Sequence, residues 1–238
     1  MSGPRGIGAQ YNAARGGGAT DRVSTFMRRR MYARFIAAGV ADDDRILDVG
    51  VTSDREQLAS NYLEAWHPRK DTITACGLDD ASFLEEVYPG MRFVRGDGKD
   101  LPFPDASFDW VHSSAVLEHV GSAAEQARFI AELHRVSRKG MFLTTPNRWF
   151  PVEFHTVLPL LHWLPRPWFR ALLRRLGHHA LSLEENLNLM GRRELAEACA
   201  QARLPAWEID SVSLLGWPSN LLLVAHRPRP ASVAGQRQ

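Results

Sequence analysis

Short apolar runs that end in glycine or polar residues alternate along this chain with longer stretches whose apolar residues recur every three or four positions. The first run, "RILDVG" (45–50), sets Ile46, Leu47 and Val49 around an Asp and closes on Gly50. "TITACGL" (72–78), "MRFVRG" (91–96), "FDWVHSS" (108–114) and "MFLTT" (141–145) follow with strand character. Between the first two, "DREQLASNYLEAW" spaces Leu58, Tyr62 and Trp66 by four, which predicts one face of a helix. Between the fourth and fifth, "SAAEQARFIAELHRVSR" aligns Phe129, Ile130, Leu133 and Val136 on another face, with Gly140 placed to end that helix. Upstream, "STFMRRRMYARFIAAGV" predicts a basic helix that packs through Phe26, Tyr32, Phe35 and Ile36. The close of the chain differs. "WEIDSVSLLG", a turn at "WPSN", and "LLLVAH" predict an antiparallel strand pair.

Strands alternating with helices predict a parallel sheet covered on both faces. The length of 238 residues and 45% hydrophobic content suit one α/β domain. Its expected limits are 25–228, flanked by a basic, glycine-rich tail over 1–24 and a second tail over 229–238. The early arginines, Arg5, Arg15, Arg22, Arg28, Arg29 and Arg30 against Asp21, read as a solvated tail, with a phosphate- or membrane-contacting arm as the other reading. The net charge of +2 gives no global field for nucleic acid. The two cysteines, Cys76 and Cys199, lie far apart, so neither a disulfide framework nor a metal site is expected, which suits a reducing cytosol. Neither a signal peptide nor a membrane span is legible, so a cytoplasmic protein, or one lying on a membrane surface, is expected.

The candidate chemistry lies at strand ends, where open α/β sheets bind ligands. Asp48, Asp79 and Asp97 follow the first three strands in "LDVG", "CGLDD" and "RGDG". An ionised carboxylate after the second strand can accept from both hydroxyls of a ribose, and one after the third from an adenine amino group. Gly98 leaves room for such an approach. With these in place, "GDGKDLPFPDASFDWVHSSAVLEHV" (96–120) resembles the class I S-adenosylmethionine-dependent methyltransferases, in the type 11-like branch with a "GD…LPF…SFD…LEH" signature. The resemblance runs from about 44 to 147, and "RRELAEACAQARLPAWEID" with the final hairpin is similar to that family's ending. It implies a Rossmann-like sheet of seven strands, mainly parallel, with the final strand antiparallel. It also implies S-adenosyl-L-methionine as cofactor, with Asp97 at the adenine, Asp79 at the ribose, Gly50 at the close approach and Asp48 holding the first loop and the methionyl ammonium. Thr52, Gly98 and Ser114 complete the implied cofactor set.

One departure bears on that set. The family's loop runs close to Asp-x-Gly-x-Gly-x-Gly, whereas here Val51, Thr52, Ser53 and Asp54 follow Gly50. Either the Thr52 and Ser53 hydroxyls replace lost backbone contacts, with Asp54 near the cofactor's ammonium, or the loop is closed and the protein is a non-catalytic scaffold of the same fold. A nicotinamide dehydrogenase is a third reading, which the missing Gly-x-Gly-x-x-Gly disfavours. Candidate bases are His112, His119 and His155, with a structural reading beside the catalytic one for His112 and for His119, whose structural partner would be Glu118. Glu153 and Asn147 complete the candidate catalytic residues with His119 and His155. The segment 146–185, broken by Pro151, Pro159, Pro165 and Pro167, is the expected substrate lid. Its Trp149, Trp163, Trp168 and Phe169 beside Arg166, Arg170, Arg174 and Arg175 suit either a packed lid or a membrane-surface contact through 149–175. The expected acceptor is a small or lipid-linked molecule, sugar or quinone-like, and not nucleic acid. The sequence does not indicate the oligomeric state.

Overall fold

A computed structural model describes residues 18–55 and 60–227. The strands are β1 (Ile46–Val49), β2 (Ile73–Gly77), β3 (Arg92–Arg95), β4 (Phe108–Ser114), β5 (Ser137–Pro146), β6 (Trp207–Leu214) and β7 (Trp217–His226). They form one seven-stranded sheet in the order β3-β2-β1-β4-β5-β7-β6. The first five pair in parallel, and β7 runs antiparallel between β5 and β6. This is the expected Rossmann-like arrangement. All residues of β1 are buried, because helices cover both faces of the sheet.

The helices are α1 (Ala19–Ala37), α2 (Tyr62–Trp66), α3 (Leu84–Val87), α4 (Ala123–Val136), α5 (Arg166–Arg175) and α6 (Arg192–Gln201). Alternation along β1 divides the core. Ile46 packs with Met27, Met31 and Phe35 of α1, and Leu47 and Val49 with Phe129, Ile130 and Leu133 of α4 and Leu195 of α6. Ser122 caps α4: its hydroxyl accepts from the Glu125 N–H while the Glu125 carboxylate accepts from the Ser122 N–H. The "LPF…SFD" signature has a structural purpose. Arg135 of α4 donates to the carbonyls of Leu101 and Phe103 and to Asp105, and Glu132 accepts from the Leu101 N–H, clamping the β3–β4 connection onto α4.

Several elements differ from the sequence reading. Helix α1 begins at Ala19, inside the stretch taken as tail; residues 1–17 and 228–238 lie outside the described residues, as does Leu58. The described part of the 54–66 helix is α2 alone. Gly140 ends no helix: α4 stops at Val136, and Gly140 sits in β5, where an added Cβ would lie 2.7 Å from the Ala225 carbonyl oxygen and 2.9 Å from Trp110. The final turn falls on Leu215 and Gly216, at φ 51° and 82°, and "WPSN" begins β7. Two positive φ values in a two-residue loop match the twist of the flanking strands.

The proline-broken segment after β5 folds as short turns, helix α5 and two single 3-10 turns, Leu161–Trp163 and Ala180–Ser182. It carries its own small core of Phe169, Leu173, Leu181, Leu187 and Leu189. Among the described residues, no helix is long and apolar enough to cross a membrane.

Candidate active site

The strand order reverses between β1 and β4, and a cavity of about 300 Å³ opens over the C-terminal ends of β1 to β4. Gly50, Thr52 and Ser53 line it from the first loop, Asp79 from the second, Asp97 and Gly98 from the third, and Ser114 from the end of β4. Gly50 is required there. Its φ is +97°, and a Cβ would stand 2.2 Å from Val116 Cγ2. The residues that replace the further glycines are braced by a side chain instead. Asn61 accepts from the Thr52 N–H at 2.9 Å and donates to the Thr52 carbonyl at 3.2 Å, and the Asp54 N–H donates to Thr52 Oγ1 at 3.1 Å. The loop folds back on itself and leaves the cavity open; Asp54 is not among the lining residues.

The two lining carboxylates come from successive strands. Asp97 Oδ1 accepts from the Lys99 N–H at 2.9 Å, which fixes the turn after β3, and Asp79 lies half-buried after β2. Gly98 serves the core as well as the cavity, since a Cβ there would lie 2.3 Å from the Phe129 ring. Ser114 shares a 2.9 Å hydrogen bond with Thr144. Arg28 also lines the cavity from α1 and donates to Ser60 Oγ at 3.2 Å, so one arginine assigned to the solvated tail stands at the site. The signal that could have found it is the apolar spacing of Met27, Met31 and Phe35, which extends α1 back through Arg28.

Asp48 is placed differently from the other two acids. It does not line the cavity. Its Oδ1 accepts from His112 Nδ1 at 2.7 Å, and His112 Nε2 meets the Tyr62 hydroxyl at 2.9 Å, on the face of the sheet that α1 covers. Burial pushes Asp48 up to about 7 and the facing Glu64 well above its usual range, and brings His112 down to about 4. Burial thus favours the neutral form of each of these groups.

His119, from the 3-10 turn Leu117–His119, and His155, from the segment after β5, also line the cavity. Their Nε2 atoms lie 3.0 Å apart. His119 Nδ1 donates to the Asn186 carbonyl at 2.6 Å, and His155 Nδ1 to Glu153 Oε1 at 2.6 Å. Burial, then the neighbouring His155, lowers His119 to about 3. Burial opposes ionisation of Glu153, but hydrogen bonds from His155 and Thr156 outweigh it and hold the carboxylate at about 2. The same partner keeps His155 above its usual value despite burial. Glu118 is fully buried, with Oε1 at 4.0 Å from His119 Nε2. Glu153 reaches the cavity only through His155. Asn147 does not line it: its side chain donates to the Pro218 carbonyl and accepts from the Trp149 N–H, at the end of β5.

Residues 58–144 match the model of a methyltransferase domain family. The fold agrees along nearly the whole chain: magnesium protoporphyrin IX methyltransferase from Synechocystis PCC 6803, solved with bound SAH, superposes with a TM-score of 0.55 at 13% identity, covering 92% of each chain. The fold is the Rossmann-like methyltransferase fold. Among curated proteins, the chain is similar to one named as a methyltransferase in Encephalitozoon cuniculi, 43% identical over 100 residues, which are 35% of this chain and 48% of that protein. It is also similar to a fatty-acid O-methyltransferase of Mycolicibacterium smegmatis, 33% identical over 125 residues, or 50% of this chain and 43% of that one. The chain thus spans less than half the length of these curated relatives.

Proposed function

We propose that the cavity binds S-adenosyl-L-methionine and that the chain transfers its methyl group to a small or lipid-linked acceptor. The observation that carries this reading is the pair of carboxylates, Asp79 and Asp97, on one open cavity at the sheet's switch point. The lining suits a nucleoside: acids after β2 and β3 for ribose hydroxyls and an adenine amino group, and apolar walls from Val49, Val116 and Phe129. Gly50 allows the chain to pass close beneath, Thr52 and Ser114 add hydroxyls, and Arg28 offers a cation for the amino-acid carboxylate. Asp48 acts from behind by fixing β1 against His112. The cofactor supplies a methyl group already activated on a sulfonium, so the protein's work is positioning and exclusion of water.

His119 and His155 face the acceptor end of the cavity, and Glu153 positions His155. The open first loop supports this reading over the scaffold alternative, because Asn61 holds Thr52 and Ser53 at the cavity wall and not across it. A greasy acceptor, lipid-linked or quinone-like, is supported by the apolar lid core and by the fatty-acid O-methyltransferase relative; a lipid-linked sugar belongs to the same class. Contact of residues 149–175 with a membrane surface rests on Trp168, which is 70% exposed on α5 beside Arg170, Arg174 and Arg175. The protein would then work in the cytosol and dock at a bilayer. Incubation of cell extract with the chain and a donor carrying a tritiated methyl group should label the lipid or small-molecule fraction. Label confined to macromolecules would reject this choice of acceptor.

A further inference from the structure

The lid end of the cavity gathers a donor set that methyl transfer alone does not require. His119 and His155 turn their Nε2 atoms toward each other at 3.0 Å with rings nearly perpendicular, at 88°. A carbonyl oxygen can only accept, so His119 Nδ1, bonded to Asn186, carries the hydrogen and Nε2 the lone pair. His155 Nδ1 is committed in the same way to Glu153. Beside them, Glu118 Oε1 is fully buried and has no hydrogen-bond partner among the described residues, while its Oε2 accepts from Thr145 Oγ1 at 3.0 Å. Leaving a buried carboxylate oxygen unpaired is costly, and something should answer it. The three donor atoms lie within 4.8 Å of one another.

We propose that Glu118, His119 and His155 bind a late first-row divalent cation, of the Zn²⁺ or Co²⁺ kind, in a two-histidine, one-carboxylate site open to the cavity. Imidazole with a carboxylate suits such ions. Metal-bound histidines characteristically donate the second ring N–H to a carboxylate or a backbone carbonyl, and here Glu153 and Asn186 are those acceptors. With metal–nitrogen bonds of about 2.1 Å, two bound nitrogens sit about 3.0 Å apart at a right angle and about 3.4 Å apart at the tetrahedral angle, so the 3.0 Å separation needs a parting of at most about 0.4 Å. A small movement of the Glu118 carboxylate completes the protein's share. Because His119 and His155 both line the cavity, the remaining coordination positions face it. Glu118 and His119 follow β4 while His155 belongs to the lid, so the cation would also tie the lid to the sheet.

The competing arrangement is a proton between the two Nε2 atoms, with no affinity for metal. The test needs neither methyl donor nor acceptor, so its result is independent of the methyl-transfer reading. Full-length chain stripped with chelator is dialysed against Zn²⁺ or Co²⁺, and bound metal is counted while the visible absorption of Co²⁺ is recorded. The expected result is about one ion per chain, with affinity reduced at least about tenfold in Glu118→Gln and in His155→Ala and weakened also in Glu153→Gln. A His178→Ala/His179→Ala variant, which removes the adjacent pair after α5, should bind as the unaltered chain does. Thermal unfolding of the stripped proteins identifies any variant that fails to fold, and Glu118→Gln, which keeps the side chain's shape, serves if His155→Ala does not. Absence of uptake, or uptake lost only in the His178→Ala/His179→Ala variant, would overturn the proposal.

Discussion

Glu64 shows what burial does to a single side chain. It is fully buried against Asp48, and desolvation holds its pKa well above the ordinary carboxyl value. A carboxyl whose pKa rises on folding binds its proton more tightly in the folded chain. Its contribution is therefore fully present below the unfolded pKa of about 4.3 and is lost as pH rises toward the folded value. Glu64→Gln keeps the shape and removes the titration. The variant should gain on the unaltered protein as pH rises, by at most about 1.4 kcal/mol per pH unit, in urea unfolding at pH 5 and pH 8. Asp48, raised to about 7, and His112 both interact with Glu64, so the difference reads the loss of Glu64 from this coupled group. Parallel pH curves would show that Glu64 ionises freely. Gly50 gives a second prediction at this scale. With φ at +97° and Val116 in the way, Gly50→Ala should cost more than about 1 kcal/mol and weaken cofactor binding, read by denaturant unfolding and calorimetry. The sequence showed that Gly50 is special and that Asp79 and Asp97 belong together, because strand-end position alone carries that information. It could not show that Asp48 faces α1, since the side of a fully buried strand on which a residue lies is decided by what packs there. Nor could it bring Glu118 and His119 to His155, which come together only when the segment after β5 folds.

Elements were legible where the period was strong. The seven strands and α4 fall close to their expected places because alternation and helical spacing persist over whole segments. Misplaced features sit at ends and turns. "WPSN" has turn composition, yet Leu215 and Gly216 take the turn, because pairing of Leu214 with Trp217 fixes the register. Leu215 is 99% exposed at φ 51°, a poor conformation for a leucine. Leu215→Asn should therefore raise stability by about 0.5 kcal/mol or more, visible as a higher melting temperature; a lower one would contradict the turn geometry. The segment after β5 divides the aromatic residues that looked alike in sequence. Phe169 is buried in the lid core, Trp163 is half-buried with its ring near Trp149 and Trp217, and Trp168 is exposed. Phe169→Ala should cost about 3 kcal/mol or more and Trp168→Ser no more than about 0.5 kcal/mol. If α5 docks on membranes, Trp168→Ser should reduce sedimentation with anionic vesicles while leaving the melting temperature in place. Sedimentation unchanged by the substitution would remove that contact.

For the whole molecule, two cores on either side of a mixed sheet hold the strand ends in place, and the cavity is a consequence of their order. Sheet architecture was legible because each strand announces itself locally. The cavity's floor was legible through Asp79, Asp97 and Gly50, and its sides were not, because Arg28, Asn61 and His155 reach it from distant parts of the chain. The altered first loop lacks the further glycines of the family pattern, and Asn61 braces it at Thr52. Everything then depends on whether that braced cavity takes the cofactor through its two carboxylates. Calorimetric titration of the full chain with S-adenosylmethionine, and with its demethylated product, answers this directly. Binding of one molecule per chain is expected, weakened at least about tenfold in Asp79→Ala and in Asp97→Ala, since each removes a charge-assisted hydrogen bond worth roughly 1.5–3 kcal/mol. Absence of binding to the folded chain, or binding indifferent to both substitutions, would contradict it.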